Sequence, residues 1–245
     1  MRLLKVPAVF VVLANAFLCA STLIFIDTVL EPHIRQFGLS AASVGLVFLG
    51  MGLTYVPSAL LAGKVVDRTS KPLTIAAVAG FLGTIVMLSI APSPLFFFLE
   101  KSLWTTAVAL VVGGAVIAPL DVSTFKALID VAREAGFPDD SSTSGIVSGL
   151  YLLAFCFGGF CGPTIGGWSV EWIGLPWHTT VLAGVWLAVA CQTTAYSALK
   201  RCCRRPQPLA PTTANWKSAS ADKLSERVAI AADNDSSATD SKFVV

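Results

Sequence analysis

The chain has 245 residues, 55% of them hydrophobic and 13% charged, with a formal net charge of +2 and a mean hydropathy of +0.74. A soluble domain carries about a quarter charged residues, so this composition excludes an ordinary water-soluble globule. The basic residues are not clustered with aromatics, which removes nucleic acid as a partner. The 6 cysteines show neither zinc-site spacing nor a disulfide framework, and no metal, cofactor or enzymatic activity is expected.

A transmembrane helix needs roughly 20 mostly apolar residues. Six stretches qualify, at about 7–26, 41–62, 73–91, 103–120, 144–168 and 177–199, separated by short polar segments. The expected fold is an all-α membrane protein, a six-helix bundle over residues 1–200 seated in the lipid bilayer. From Lys200 the chain turns to Ser, Thr, Asp, Asn and Lys in irregular order, and 201–245 reads as a disordered cytosolic tail.

The first stretch follows Arg2 and Lys5 and shares the outline of a secretory signal. Its apolar run from Pro7 to Ile26 exceeds the usual signal core of about 7–15 residues, so it reads as a retained span. It ends in Phe25-Ile26-Asp27-Thr28-Val29-Leu30-Glu31-Pro32. Acidic residues there either snorkel to the interface or face a central cavity and attract a cation, and Asp27 and Glu31 are the candidates for the second role.

The second stretch carries Tyr55 and leads into Gly63-Lys64-Val65-Val66-Asp67-Arg68-Thr69-Ser70-Lys71. Gly63 permits a close approach or tight turn, while Asp67 and Arg68 can pair with helix ends and neighbouring charges. An ordinary basic loop fits the same residues. Asp121 follows Ala118-Pro119-Leu120 where the fourth stretch is finishing, and reads as a loop or helix-end residue.

The fifth stretch holds Gly149, Gly158, Gly162, Pro163, Gly166 and Gly167, spaced G-x8-G-x3-G-P-x2-G-G. Small residues let helices pack closely, and the proline removes a backbone donor and bends the span. Tyr55 and Tyr151 lie within spans, as packing aromatics or as the lining of a cavity for an organic cation. His178 sits by the outer end of the sixth stretch and reads as interfacial. Cys202-Cys203, beside Lys200, Arg201, Arg204 and Arg205, suits juxtamembrane palmitoylation, with plain thiols an equal reading.

Charge fixes the expected orientation. Arg2, Lys5, Lys64, Arg68, Lys71, Lys126, Arg133, Lys200, Arg201, Arg204 and Arg205 fall on one side of the six spans, and only Arg35 and Lys101 on the other. The positive-inside rule then puts both termini in the cytosol.

The Gly63–Lys71 loop resembles the short cytosolic signature of the major facilitator superfamily, and the fifth-span glycines resemble the motif of its antiporters. Phe25-Ile26-Asp27, Ser43 to Met51, Glu134-Ala135-Gly136-Phe137 and Ser142 to Gly167 extend the likeness to the vesicular amine transporters, their polyamine branch above all. It covers about residues 6–200 and matches the carboxyl-terminal half of those proteins. The resemblance implies proton-coupled antiport of an organic cation into an acidic vesicle, with protons and that cation as ligands. Asp27 matches an acidic position of their seventh helix. The fifth span lacks the acidic residue of the monoamine branch, which favours a polyamine-like substrate. Such folds place the site between two six-helix halves, so a second half is an expected partner; a non-transporting membrane partner or a truncated regulatory fragment is the alternative.

Overall fold

The computed structural model describes residues 6–35, 38, 40–91, 103–138 and 140–203, and those residues contain helices, turns and no strand. Helix α1 (Pro7–Phe25) runs through a π-helical turn (Ile26–Leu30) into the short α2 (Glu31–Arg35). There follow α3 (Ala41–Thr69), α4 (Pro72–Ile90), α5 (Leu103–Glu134), α6 (Ser141–Ile173) and α7 (Leu175–Cys203). Among the described residues, six helical stretches are long and apolar enough to cross a membrane: Pro7–Leu30, Ala41–Thr69, Pro72–Ile90, Trp104–Glu134, Ser141–Ile173 and Leu175–Cys202. The tail expected over 201–245 lies outside the described residues from position 204 onward, as do Arg2, Lys5 and Lys101.

Local chemistry sets where these helices begin and end. Pro7 and Pro72 stand in the first turns of α1 and α4, where the missing N–H would be unpaired anyway. Ser40 caps α3 by accepting from the Ser43 N–H at 3.2 Å, and Asp140 caps α6 by accepting from the Thr143 N–H at 2.8 Å. The Asp140 carboxyl is held below its ordinary range by those first-turn N–H donors. Between α6 and α7 the chain turns at Gly174, whose φ of +81° strains any residue with a β-carbon.

The helices outrun the apolar stretches that announce them. Basic Lys64 and Arg68 lie in the last turns of α3, and α5 continues past Leu120 to Glu134. The extension of α5 is stabilised by a buried stripe, Ala127, Leu128, Val131 and Ala132, packed with Ala8, Val9 and Val12 of α1 and Val147 of α6. Burial of that stripe outweighs the polar residues between its members, because helical amphipathicity asks only one face to be apolar.

The strongest pairings are α3 with α5, α1 with α6 and α4 with α5, and α1 also packs on α5. Close approach is achieved with glycine. A β-carbon on Gly158 or Gly162 would stand 2.3 or 2.2 Å from the carbonyl oxygen of Phe17 or Ser21, so α6 lies directly on the α1 backbone. Polar pins lock α7 to α1: Trp186 Nε1 donates to Thr22 Oγ1 at 3.0 Å, and Asn15 Nδ2 donates to Thr193 Oγ1 at 2.9 Å. Only 11% of the α3 span and 17% of the α6 span are buried, against 61% for α1. Two helices thus present long apolar faces outward.

Candidate functional site

Asp121 is the centre of the site, and α5 explains its place. The helix does not finish at Leu120, so the expectation of a loop or helix-end aspartate is corrected: Asp121 is half-buried inside a continuous helix. The polar run after Pro119 obscured this, since hydropathy falls there although helical periodicity persists. Pro119 supplies no N–H and frees the carbonyl of Ala115 one turn earlier. Ser58 of α3 donates to that carbonyl at 2.6 Å, and Thr54 donates to the Val111 carbonyl at 2.6 Å. Gly114 allows the two backbones to meet, since a β-carbon there would lie 2.3 Å from the Met51 carbonyl oxygen. In an apolar medium each such bond matters, because water is absent to replace it.

This tight α3–α5 contact aims Tyr55 at the carboxylate. Its hydroxyl donates to Asp121 Oδ2 at 2.7 Å, and the Tyr151 hydroxyl of α6 donates to Oδ1. The buried thiol of Cys19, on α1, lies near Asp121. Tyr151 is steadied in turn by Phe125, edge-on at 5.2 Å, and by Phe155, stacked at 6.1 Å. Four helices therefore converge on one carboxyl group.

The other candidates are distributed elsewhere. Asp27 is exposed in the π-helical turn, and such turns often mark functional positions. Glu31 opens α2 and pairs with Arg35 at 2.8 Å. Asp27 stands eight positions beyond Cys19, about 12 Å along the axis at 1.5 Å per residue. Tyr55 and Tyr151 are thus brought together, whereas Asp27 and Glu31 lie beyond the end of α1, in the π-helical turn and α2.

The two motif segments also divide. Gly63 has open space around it, Asp67 pairs with Lys126 of α5 at 3.3 Å, and Arg68 is exposed on the last turn of α3. At the same end Lys200 pairs with Glu134 at 2.6 Å, and Arg201 donates to Thr74 at 2.6 Å, tying α7 to α5 and α4. Of the fifth-span residues, Gly158 and Gly162 meet the α1 backbone and Gly166 meets the Phe25 ring. Gly149 and Gly167 face open space, and Pro163 sits within α6. His178 is half-buried, bonded through Nδ1 to Ser169 and tilted over Phe25 at 4.4 Å.

Comparison with known proteins decides the lineage. The model of the Major Facilitator Superfamily matches residues 9–231. This chain belongs to the major facilitator superfamily. Among relatives of this facilitator chain is the human MFS-type transporter SLC18B1, 34% identical over 68% of the chain and 36% of that protein. The rat protein of the same name is 34% identical over 66% of the chain and 36% of its own length. The mouse protein is 35% identical over 66% and 35% respectively. The facilitator chain thus spans about a third of the length of the curated relatives it matches.

Within this facilitator bundle, Asp121 is the candidate residue that the sequence alone places wrongly. One signal for it was available. Ile117, Leu120, Thr124, Leu128 and Val131 recur at three- and four-residue steps straight through the polar run, which is helical spacing.

Proposed function

We propose that this bundle is one half of a secondary transporter that exchanges an organic cation, polyamine-like in kind, for protons. The observation that carries the reading is the Asp121 carboxyl clamped by Tyr55 and Tyr151 where α1, α3, α5 and α6 converge. A carboxylate suits both ligands, because it pairs with an ammonium and exchanges it for a proton; competition for one group couples the two fluxes. Asp27 and Glu31 then serve as an outer acidic approach for the cation. Rocking in such folds occurs about a site between two bundles, and the open apolar faces of α3 and α6 suit a second six-helix half. Gly63, Asp67 and Arg68, with the glycine seam of α6, are the segments that would move past neighbours during rocking. Both termini lie in the cytosol, with a vesicle membrane as the favoured location.

The reading is tested by uptake of labelled spermidine into proteoliposomes with an acidic interior. The chain is measured alone and after co-expression with the first half of a full-length relative. The expected result is uptake by the paired halves that collapses when a protonophore dissipates the gradient. Uptake insensitive to the gradient, or equally fast with Asp121→Asn, would falsify the coupling role.

A further inference from the structure

One side chain next to the clamp differs from many other hydroxyls of the bundle. Thr28, Thr84, Thr193 and Thr194 each return the hydroxyl to the carbonyl four residues earlier, at 2.7 to 3.1 Å. Ser123 likewise donates to the Pro119 and Leu120 carbonyls. Thr124 does not. Its side chain is 1% exposed, and its Oγ1 has no protein partner. A buried hydroxyl left unpaired costs about 1–3 kcal/mol, and buried polar groups of this kind are normally satisfied by internal water.

Position gives that water a use. Thr124 lies three residues after Asp121, so the two side chains are neighbours on one face of α5, with β-carbons about 5–6 Å apart. One water molecule spans such a gap. Thr124 is also one turn nearer the end of the bundle that carries Lys126, Arg133 and Lys200. On α1, which packs against α5, Asn15 stands one turn from Cys19 in the same direction; it is buried and donates to the Val11 carbonyl and to Thr193 of α7. Polar groups therefore continue past the clamp toward the inner end through an otherwise apolar interior. The titratable groups around this region are Asp121 itself, Cys19 of α1, Tyr55 of α3 and Tyr151 of α6.

We infer that Thr124 holds a buried water shared with Asp121, the first station on the proton's route from the clamp toward the inner end of the bundle. The inference rests on the proton-exchange reading of Asp121. In the step, the carboxylic acid gives its proton to the water oxygen while that water passes one of its own to the next water inward. Asp121 ends as carboxylate and the bound water is regenerated. Thr124 positions the water by donating its O–H and does not ionise.

The test uses the full chain in liposomes. Infrared difference spectra between acidic and neutral buffer, in ordinary and oxygen-18 water, report a bound water whose O–H stretch changes with Asp121. The expected result is an isotope-sensitive water band that vanishes in Thr124→Val and persists in Thr124→Ser. With the paired halves, Thr124→Val should slow gradient-driven spermidine uptake about tenfold, the loss of one hydrogen bond worth about 1.4 kcal/mol. Thr124→Ser should stay within about twofold, and spermidine binding should not change in either. If Thr124→Val raises the thermal midpoint and leaves the water band and uptake intact, the hydroxyl is dry and the inference is overturned. If Asp121→Asn leaves uptake and its gradient dependence unchanged, the parent reading falls instead, and the two failures are told apart.

Discussion

Two acidic residues, on different helical segments, meet opposite environments. Asp121 is half-buried and receives donors from two other helices, α3 and α6, whereas Asp27 is exposed in the π-helical turn after α1. The difference separates two tasks that sequence alone merges. A carboxyl held by several helices senses their relative positions, because any rocking stretches a hydrogen bond. An exposed carboxyl can attract a cation without reporting on the bundle's conformation. On the proposed function, coupling falls to the first kind of residue and recruitment to the second.

The sharpest way to break this contrast is to neutralise each residue separately. Asp121→Asn should reduce gradient-driven spermidine uptake about a hundredfold, since two hydrogen bonds to a charged group, each worth about 1.5 kcal/mol or more, lose their acceptor charge. Asp27→Asn should lower the apparent affinity several-fold and leave the dependence on the gradient in place. Equal responses to both changes, in uptake measured against substrate concentration and pH gradient, would dissolve the distinction.

The glycines of α6 carry a second contrast. Gly162→Val drives a side chain into the Ser21 carbonyl, and overpacking of this kind costs about 1–3 kcal/mol or more. Gly149→Ala meets nothing and should be neutral or stabilising by up to about 1 kcal/mol through helix propensity. Thermal midpoints in detergent rank the two, and a reversed order means that the seam lies elsewhere.

Tyr55→Phe and Tyr151→Phe should each cost about three- to tenfold in uptake, one neutral donor apiece, with the protein's stability nearly unchanged. A loss confined to one tyrosine would show that the clamp is held from one side. The smallest effect belongs to Asp140. Its carboxyl is depressed below the ordinary value of 3.8 by first-turn N–H donors. Its stabilisation is therefore fully present above that value and is lost as pH falls through the depressed one. Hydrogen exchange at Thr143 and Ser144 should rise in acid, and Asp140→Asn should remove that pH response while keeping the cap. Exchange that is flat with pH would exclude Asp140 as the cap.

Six spans were legible because a bilayer imposes a length and a hydropathy that few other constraints imitate. The close seams at Gly158 and Gly162 could be anticipated from spacing alone. Asp121 was hidden for a physical reason: hydropathy averages over a window, and Ser123, Thr124 and Lys126 lower that average although one face of α5 stays buried. The pairing of Tyr55 and Tyr151 was out of reach for another reason. They are far apart in the chain and meet only through a third helix. Pro119 shows the same limit, since the sequence announces a missing N–H but not that Ser58 will answer the freed carbonyl.

The pins between α1 and α7 also carry a cost during synthesis. Asn15 and Thr193 are separated by 178 positions, and Thr22 and Trp186 by 164. At about 5–20 residues per second, α1 enters the bilayer roughly ten to thirty-five seconds before the helix that pairs with it. Through that interval an asparagine and a threonine await their partners within the membrane. The seam between α1 and α7 is therefore closed only after the last helix has entered the membrane.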